Sequence, residues 1–330
     1  MIKLSAKIYG GISLGTLFHH AKQVSVSSQT QTSAVQSNPL LTTDYSLGKL
    51  TIPIVAPPPR DYLFAEVVVP GTVNVIAGSG GSAKTTEVID VCIHGAIGSS
   101  QGPVQISKFA SLLFLAEETR EERDRRFGAL CVNLPATKRA MVEDLVYCEA
   151  AAGSDLRLTL LHDGNVYETP EVDRIINTAK DHRQRTGVRI GLIVIDHARL
   201  VMAGDPLSAD HVTALLRALN RIAVETGAAV LLVAHSPKST YSKEGEPDPS
   251  EVFGSGAFVD HTRSAFVLYT MRKDEAKHYG FTDDERKQHV SLSVVKANYG
   301  PSGRQWWFKK EIIPDWHVLR LVPVFLLPKG

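Results

Sequence analysis

The sequence predicts an α/β protein with a mostly parallel, twisted sheet flanked by helices and extended by antiparallel strands toward its C-terminus. Three observations predict it. Short apolar runs, TVNVIA (72–77), SLLFLA (111–116), IGLIVID (190–196) and AAVLLVAH (228–235), have the near-continuous hydrophobicity of strands covered on both faces. Between them lie segments whose apolar residues recur three and four apart, as on one face of a helix. A glycine-rich loop, GSGGSAKTT (78–86), joins the first strand to the first helix.

Each element follows from local chemistry. Residues 25–45, VSVSSQTQTSAVQSNPLLTTD, are mostly Ser, Thr, Gln and Asn and bury too little to order themselves, so 1–50 read as an N-terminal arm and polar linker. The prolines of IVAPPPRDYLF hold an extended path into a single main domain spanning 51–330. KTTEVIDVCIHGAI carries helical spacing at Val88, Val91, Cys92 and Gly95. Thr119, followed three residues later by Glu122, predicts a capping box that opens a helix over REERDRRFGAL. Val172, Ile175, Ile176 and Ala179 share one helical face that ends at Gly187. Ser208 is placed to cap a helix with the stripe Val212, Leu215, Leu216, Leu219 and Ile222. RSAFVLYTM, HVSLSVVKAN and RQWWFKKE read as strands, the last two joined through YGPSG as a hairpin.

Composition narrows the classes. Of 330 residues, 43% are hydrophobic and 22% charged, the balance of a folded globular protein. A net charge of +1 advertises no overall basic field for nucleic acid, although a local basic surface fits within that balance. The three cysteines, Cys92, Cys131 and Cys148, are scattered and contain no C-x-x-C pair, which disfavours a disulfide framework and a zinc site. No run approaches the roughly 20 apolar residues that span a bilayer, and a cytoplasmic location is the expectation.

The loop carries the chemistry. Between an apolar strand and a helix, backbone N–H groups and the helix dipole face a phosphate, so Gly78, Ser79, Gly80, Gly81, Ser82, Ala83, Lys84, Thr85 and Thr86 are expected to cradle a nucleotide triphosphate. Lys84 would reach the β- and γ-phosphates, and the Thr85 hydroxyl would coordinate Mg²⁺ with Asp196, which ends the strand GLIVID. The pattern G-x-x-x-x-G-K-[ST] asks for glycine where Ala83 stands. Two adjacent glycines upstream are expected to absorb much of that backbone demand, leaving a looser fit.

Five further residues lie where phosphoryl transfer would use them. Glu117 and Glu118 follow the strand SLLFLA, beside the loop if the two strands are neighbours; a carboxylate there can polarise the attacking water, or only favour the helix dipole. His235 ends AAVLLVAH, where an imidazole can contact the γ-phosphate or simply be satisfied at a strand tip. Arg263 and Lys296 adjoin C-terminal strands and read either as cations supplied in trans or as solvated surface charges. The loop 236–256 is long and polar, with Lys238, Tyr241 and Lys243.

Taken together, APPPRDYLF, GSGGSAKTT, LFLAEETREERDRRF, GLIVIDHARL, LLVAHSPK, GSGAFVDHTRSA, VVKANYG and WWFKK, in this order, resemble the RepA family of plasmid-encoded hexameric replicative helicases with a RecA-like fold. The resemblance covers roughly residues 55–310. It implies ATP and Mg²⁺ as cofactors, Glu117 as catalytic glutamate, Asp196 as metal ligand, His235 as γ-phosphate sensor, Arg263 as arginine finger and Lys296 as a trans-acting cation. It also implies a ring that grips single-stranded DNA through 236–256, with replication proteins as further partners. The alternative is a regulatory or adaptor ATPase whose nucleotide state switches a protein interaction, favoured by the absence of a strong basic stretch.

Overall fold

The computed structural model describes residues 52–236 and 255–329. The chain divides into two compact units, Met1–Pro57 and Pro58–Gly330, and the account below concerns the second. The expected arm and linker and the residues Lys238, Tyr241 and Lys243 fall largely or wholly outside the described residues.

A nine-stranded sheet runs through the unit in the order β11-β10-β9-β8-β1-β7-β6-β2-β3. Its strands are β1 Val73–Gly78, β2 Ala110–Leu115, β3 Val146–Ala150, β6 Ile190–Asp196, β7 Ala229–His235, β8 Ser264–Thr270, β9 His289–Ala297, β10 Gln305–Ile313 and β11 Val318–Val324. A separate hairpin is formed by β4 Thr159–His162 and β5 Asn165–Glu168. From β8 to β3 every pairing is parallel, and β9, β10 and β11 add antiparallel ladders. The fold class read from the sequence is therefore the observed one.

Helices cover both faces. On one side α1 (Lys84–Ile97) buries Val88, Ile89, Val91, Cys92 and Ile93 against Ile76, Leu113 and Leu231. On the other, α4 (Pro170–Thr186) and α6 (Ala209–Thr226) press Val172, Ile175, Ile176, Leu215, Leu216 and Leu219 onto Val73, Val75 and Ala77. A short helix, α5 (Ala198–Val201), follows β6 and adds Ala198 and Val201 to the same core. Alternate residues of β1 thus feed opposite cores, which is why its sequence shows no polar face. Each long helix stops where expected: Gly187 and Gly227 adopt left-handed caps after α4 and α6, and Ser208 Oγ accepts the His211 N–H at the start of α6.

The capping box is half formed. Thr119 Oγ1 accepts the Glu122 N–H at 3.3 Å and opens α2 (Arg120–Cys131). The Glu122 carboxylate, instead of returning to the cap, pairs with Arg126 at 3.2 Å, because a cation one turn on offers a charge-assisted partner.

Strand order corrects one expectation. Glu117 does not follow a neighbour of β1: β7 and β6 lie between β1 and β2. Elements without a clear period were also missed, among them α3 (Ala136–Leu145), which buries only Val142, and the edge strand β3.

Candidate nucleotide site

The parallel registers bring chemically distinct residues to one edge. Gly78 pairs with His235, Val233 with Asp196, and Asp196 with Leu115, so the C-terminal ends of β1, β7, β6 and β2 form a continuous row. This is the edge at which open α/β sheets hold ligands.

The loop after β1 is built to admit an anion. A Cβ on Gly78 would lie 2.3 Å from the Leu268 carbonyl oxygen and 2.6 Å from Ser82 Oγ, so only glycine fits there. Gly81 has φ +73°, and nothing stands within 4 Å of where Cβ atoms on Gly80 or Gly81 would project. α1 is preceded by Ala83 at its N-cap, with no side-chain cap, leaving first-turn N–H groups for a ligand. Ser82 Oγ is buried and without a hydrogen-bond partner among the described residues.

Ala83 itself occupies the left-handed region, at φ 73° and ψ 27°. The upstream glycines therefore do not absorb the demand that the loop places on this position. A left-handed L-residue costs roughly 1–2 kcal/mol, partly offset by the smaller chain entropy of alanine. Ala83→Gly is expected to raise stability by about 1 kcal/mol and the midpoint of thermal unfolding by ~2–4 °C. Because glycine adopts the same left-handed conformation, the loop geometry and the nucleotide affinity should change little; calorimetry with and without nucleotide checks both.

Lys84 Nζ donates to the carbonyls of Gly78 (2.7 Å) and Ser79 (2.9 Å) and lies 3.3 Å from His235 Nδ1. Burial pulls its pKa down to about 8, against the opposing charges of Asp196 and Glu117. Beside it, Thr85 Oγ1 donates to Asp196 Oδ2 at 2.6 Å. Burial pushes the Asp196 carboxyl up, and Thr85, His197 and Lys84 pull it back. A hydroxyl and a carboxylate are the hard oxygen donors that suit Mg²⁺.

Glu117, after β2, the third strand from β1, joins this edge through His197 of the adjacent β6. Its Oε1 lies 2.9 Å from His197 Nε2, while its side chain is 61% exposed. Glu118 turns aside to Arg126 at 3.0 Å on α2. The His197 ring meets His235 edge-on, with centroids 4.3 Å apart. Burial and the Lys84 charge bring His235 down to about 4, so it is neutral near pH 7 and Nδ1 accepts from the Lys84 ammonium. Ligand atoms of Glu117, His197 and His235 lie within 4.8 Å of one another. His197 Nδ1, however, accepts the Arg199 N–H at 3.2 Å, which leaves the ring hydrogen on Nε2 facing Glu117. In this arrangement Nε2 is a donor and not a metal ligand.

Two predicted residues stand elsewhere. The Arg263 N–H donates to Val73 O at the start of β1, and Lys296 of β9 pairs with Ala265 of β8. The length of β1, about 17 Å at ~3.3 Å per residue, therefore separates Arg263 from the phosphate loop, while Lys296, level with Val75, lies two strands to the side and about 10 Å back along the strand. Lys296 Nζ donates to Val259 O (2.5 Å) and Asp260 O (3.1 Å), the last carbonyls of the short helix Gly256–Asp260.

Sequence reasoning missed His197 and Lys310. Lys310 Nζ, from β10, lies 3.3 Å from both Gly81 O and Thr270 Oγ1, and it has no carboxylate in ion-pair range among the described residues. Nothing local marks Lys310, because only the path of the antiparallel strands carries it back to the loop.

A family model described as AAA domain matches residues 53–240, more than half of the chain. The chain belongs to that family. Among solved structures, one described as an ATPase domain is 14% identical, with a TM-score of 0.50 over 76% of this chain and 84% of that one. A DnaB-like replicative helicase, whose structure is described with its interactions with primase, is 15% identical, with a TM-score of 0.53 over 78% of this chain. The match spans 59% of that helicase. At such identities the likeness speaks for the fold, which is that of RecA-like ATPase domains. No helix among the described residues is long and apolar enough to cross a membrane.

Proposed function

We propose that this AAA-family protein is an ATP-dependent DNA helicase that works as a ring on single-stranded DNA, as in the RepA family of plasmid replicative helicases. The observation that carries the reading is the meeting of Lys84, Thr85, Asp196, Glu117 and His235 at one sheet edge above an uncapped helix N-terminus. Backbone N–H groups of 79–86 and the Lys84 ammonium would bind the triphosphate. Thr85 and Asp196 would hold Mg²⁺, which when bound neutralises phosphate charge. Glu117 orients and deprotonates the attacking water, and neutral His235 touches the γ-phosphate.

The far placement of Arg263 and Lys296 supports a ring. Neither reaches the loop of its own chain, so a role at the phosphates requires a second copy presenting its β8–β9 edge head to tail. Lys296 would first have to leave the helix carbonyls that it caps. Mixing Arg263→Ala with Glu117→Gln subunits, each inactive alone, should restore turnover at about one interface in four, where an intact Glu117 meets an intact Arg263. Absence of recovery in mixed assemblies of the right mass would argue against a trans role.

ATP turnover with and without single-stranded DNA, alongside mass in solution, tests the whole reading. Stimulation of a ring-sized species is expected, weakening as salt rises. Turnover indifferent to DNA would favour an adaptor ATPase, and a monomer with full turnover would remove the ring.

A further inference from the structure

We propose that His197 is a positioning residue that aims the Glu117 carboxylate at the attacking water. The proposal rests on the general-base role of Glu117 given above. It starts from an exposed side chain: Glu117 lies between the end of β2 and the cap of α2, with three rotatable bonds to order and 61% of its side chain open to solvent. A base in that setting samples many directions, and near-attack geometry tolerates little misplacement.

His197 supplies the restraint. It follows Asp196 at the end of β6 and caps α5, so its backbone is fixed by the same strand that carries the metal-ligand candidate. Its ring is only 5% exposed. The Arg199 N–H occupies Nδ1 at 3.2 Å, which fixes the tautomer with hydrogen on Nε2. That hydrogen donates to Glu117 Oε1 at 2.9 Å. The His235 ring, edge-on at 4.3 Å and itself beside Lys84, closes the remaining side.

One carboxylate oxygen is thereby committed to the protein. Among the described residues Oε2 has no such partner, and it is the oxygen left to take a proton from water. The arrangement also couples the base to the strand tips that would contact the γ-phosphate, since His197 touches both Glu117 and His235.

Two variants of similar volume separate positioning from packing. His197→Gln keeps an N–H donor at the reach of Nε2, whereas His197→Met fills the space without one. In the full-length protein, His197→Met is expected to lower kcat for ATP about 10- to 100-fold with KM and the affinity for a non-hydrolysable analogue within about twofold. His197→Gln should recover most of the loss. Adding His197→Met to Glu117→Gln should cost nothing further, because the interaction has already lost its purpose. Wild-type turnover in His197→Met beside an inactive Glu117→Gln would overturn the proposal alone. Equal losses in the Met and Gln variants, or additive losses in the double variant, would do the same. Turnover that survives Glu117→Gln would instead overturn the general-base reading, and this proposal with it.

Discussion

Replacing Lys84 by methionine is expected to lower kcat/KM for ATP hydrolysis by about 10³-fold or more, with the fold intact. The ammonium is held by neutral partners, the carbonyls of Gly78 and Ser79 and the His235 Nδ1. A triphosphate would exchange these for charge-assisted contacts whose strength grows as charge develops on the transferring phosphoryl group. The loss of one such preorganised donor costs roughly 10²–10³ in turnover, and weaker ground-state binding adds to it. The fold loses little, because burial already depresses the Lys84 pKa to about 8 and so opposes its charge. Phosphate release and far-UV circular dichroism, measured on the same sample, check both halves. Normal turnover in a folded variant would remove the loop from the mechanism.

Glu117→Gln should lower turnover by ~10²–10⁴ and leave nucleotide binding unchanged. Glutamine preserves an oxygen for the His197 Nε2–H, so geometry and packing survive while basicity is lost. Single-turnover experiments with bound nucleotide separate the chemical step from product release. A loss below tenfold would move the base elsewhere. Glu118 is a poor substitute, since Arg126 holds it at 3.0 Å.

Much of this was legible without coordinates because the signals are local. The apolar runs that became β1, β2, β6 and β7, the stripes of α4 and α6 and the cap at Ser208 depend on neighbours within a few residues. α3 and β3 were not legible. Their burial is partial, so their sequences carry little periodicity.

The candidate site divides along the same line. The loop from Gly78 to Thr86 and the strand-end positions of Asp196 and His235 are set by local pattern, so the α/β class and these candidate residues were readable from the sequence. Tertiary structure alone decided who meets whom. Pairing between distant strands put β7 and β6 between β1 and β2, and turned Glu117 toward His197. It also carried Arg263 to the opposite end of β1, tied Lys296 to the helix Gly256–Asp260 and returned Lys310 to the loop. Even the backbone of Ala83 belongs to this second group. Its left-handed φ is imposed by a loop closed between β1 and α1, which overrides the alanine's own preference for a right-handed conformation. Strand order and side-chain convergence arise from contacts between residues far apart in the chain, and local periodicity holds no record of them.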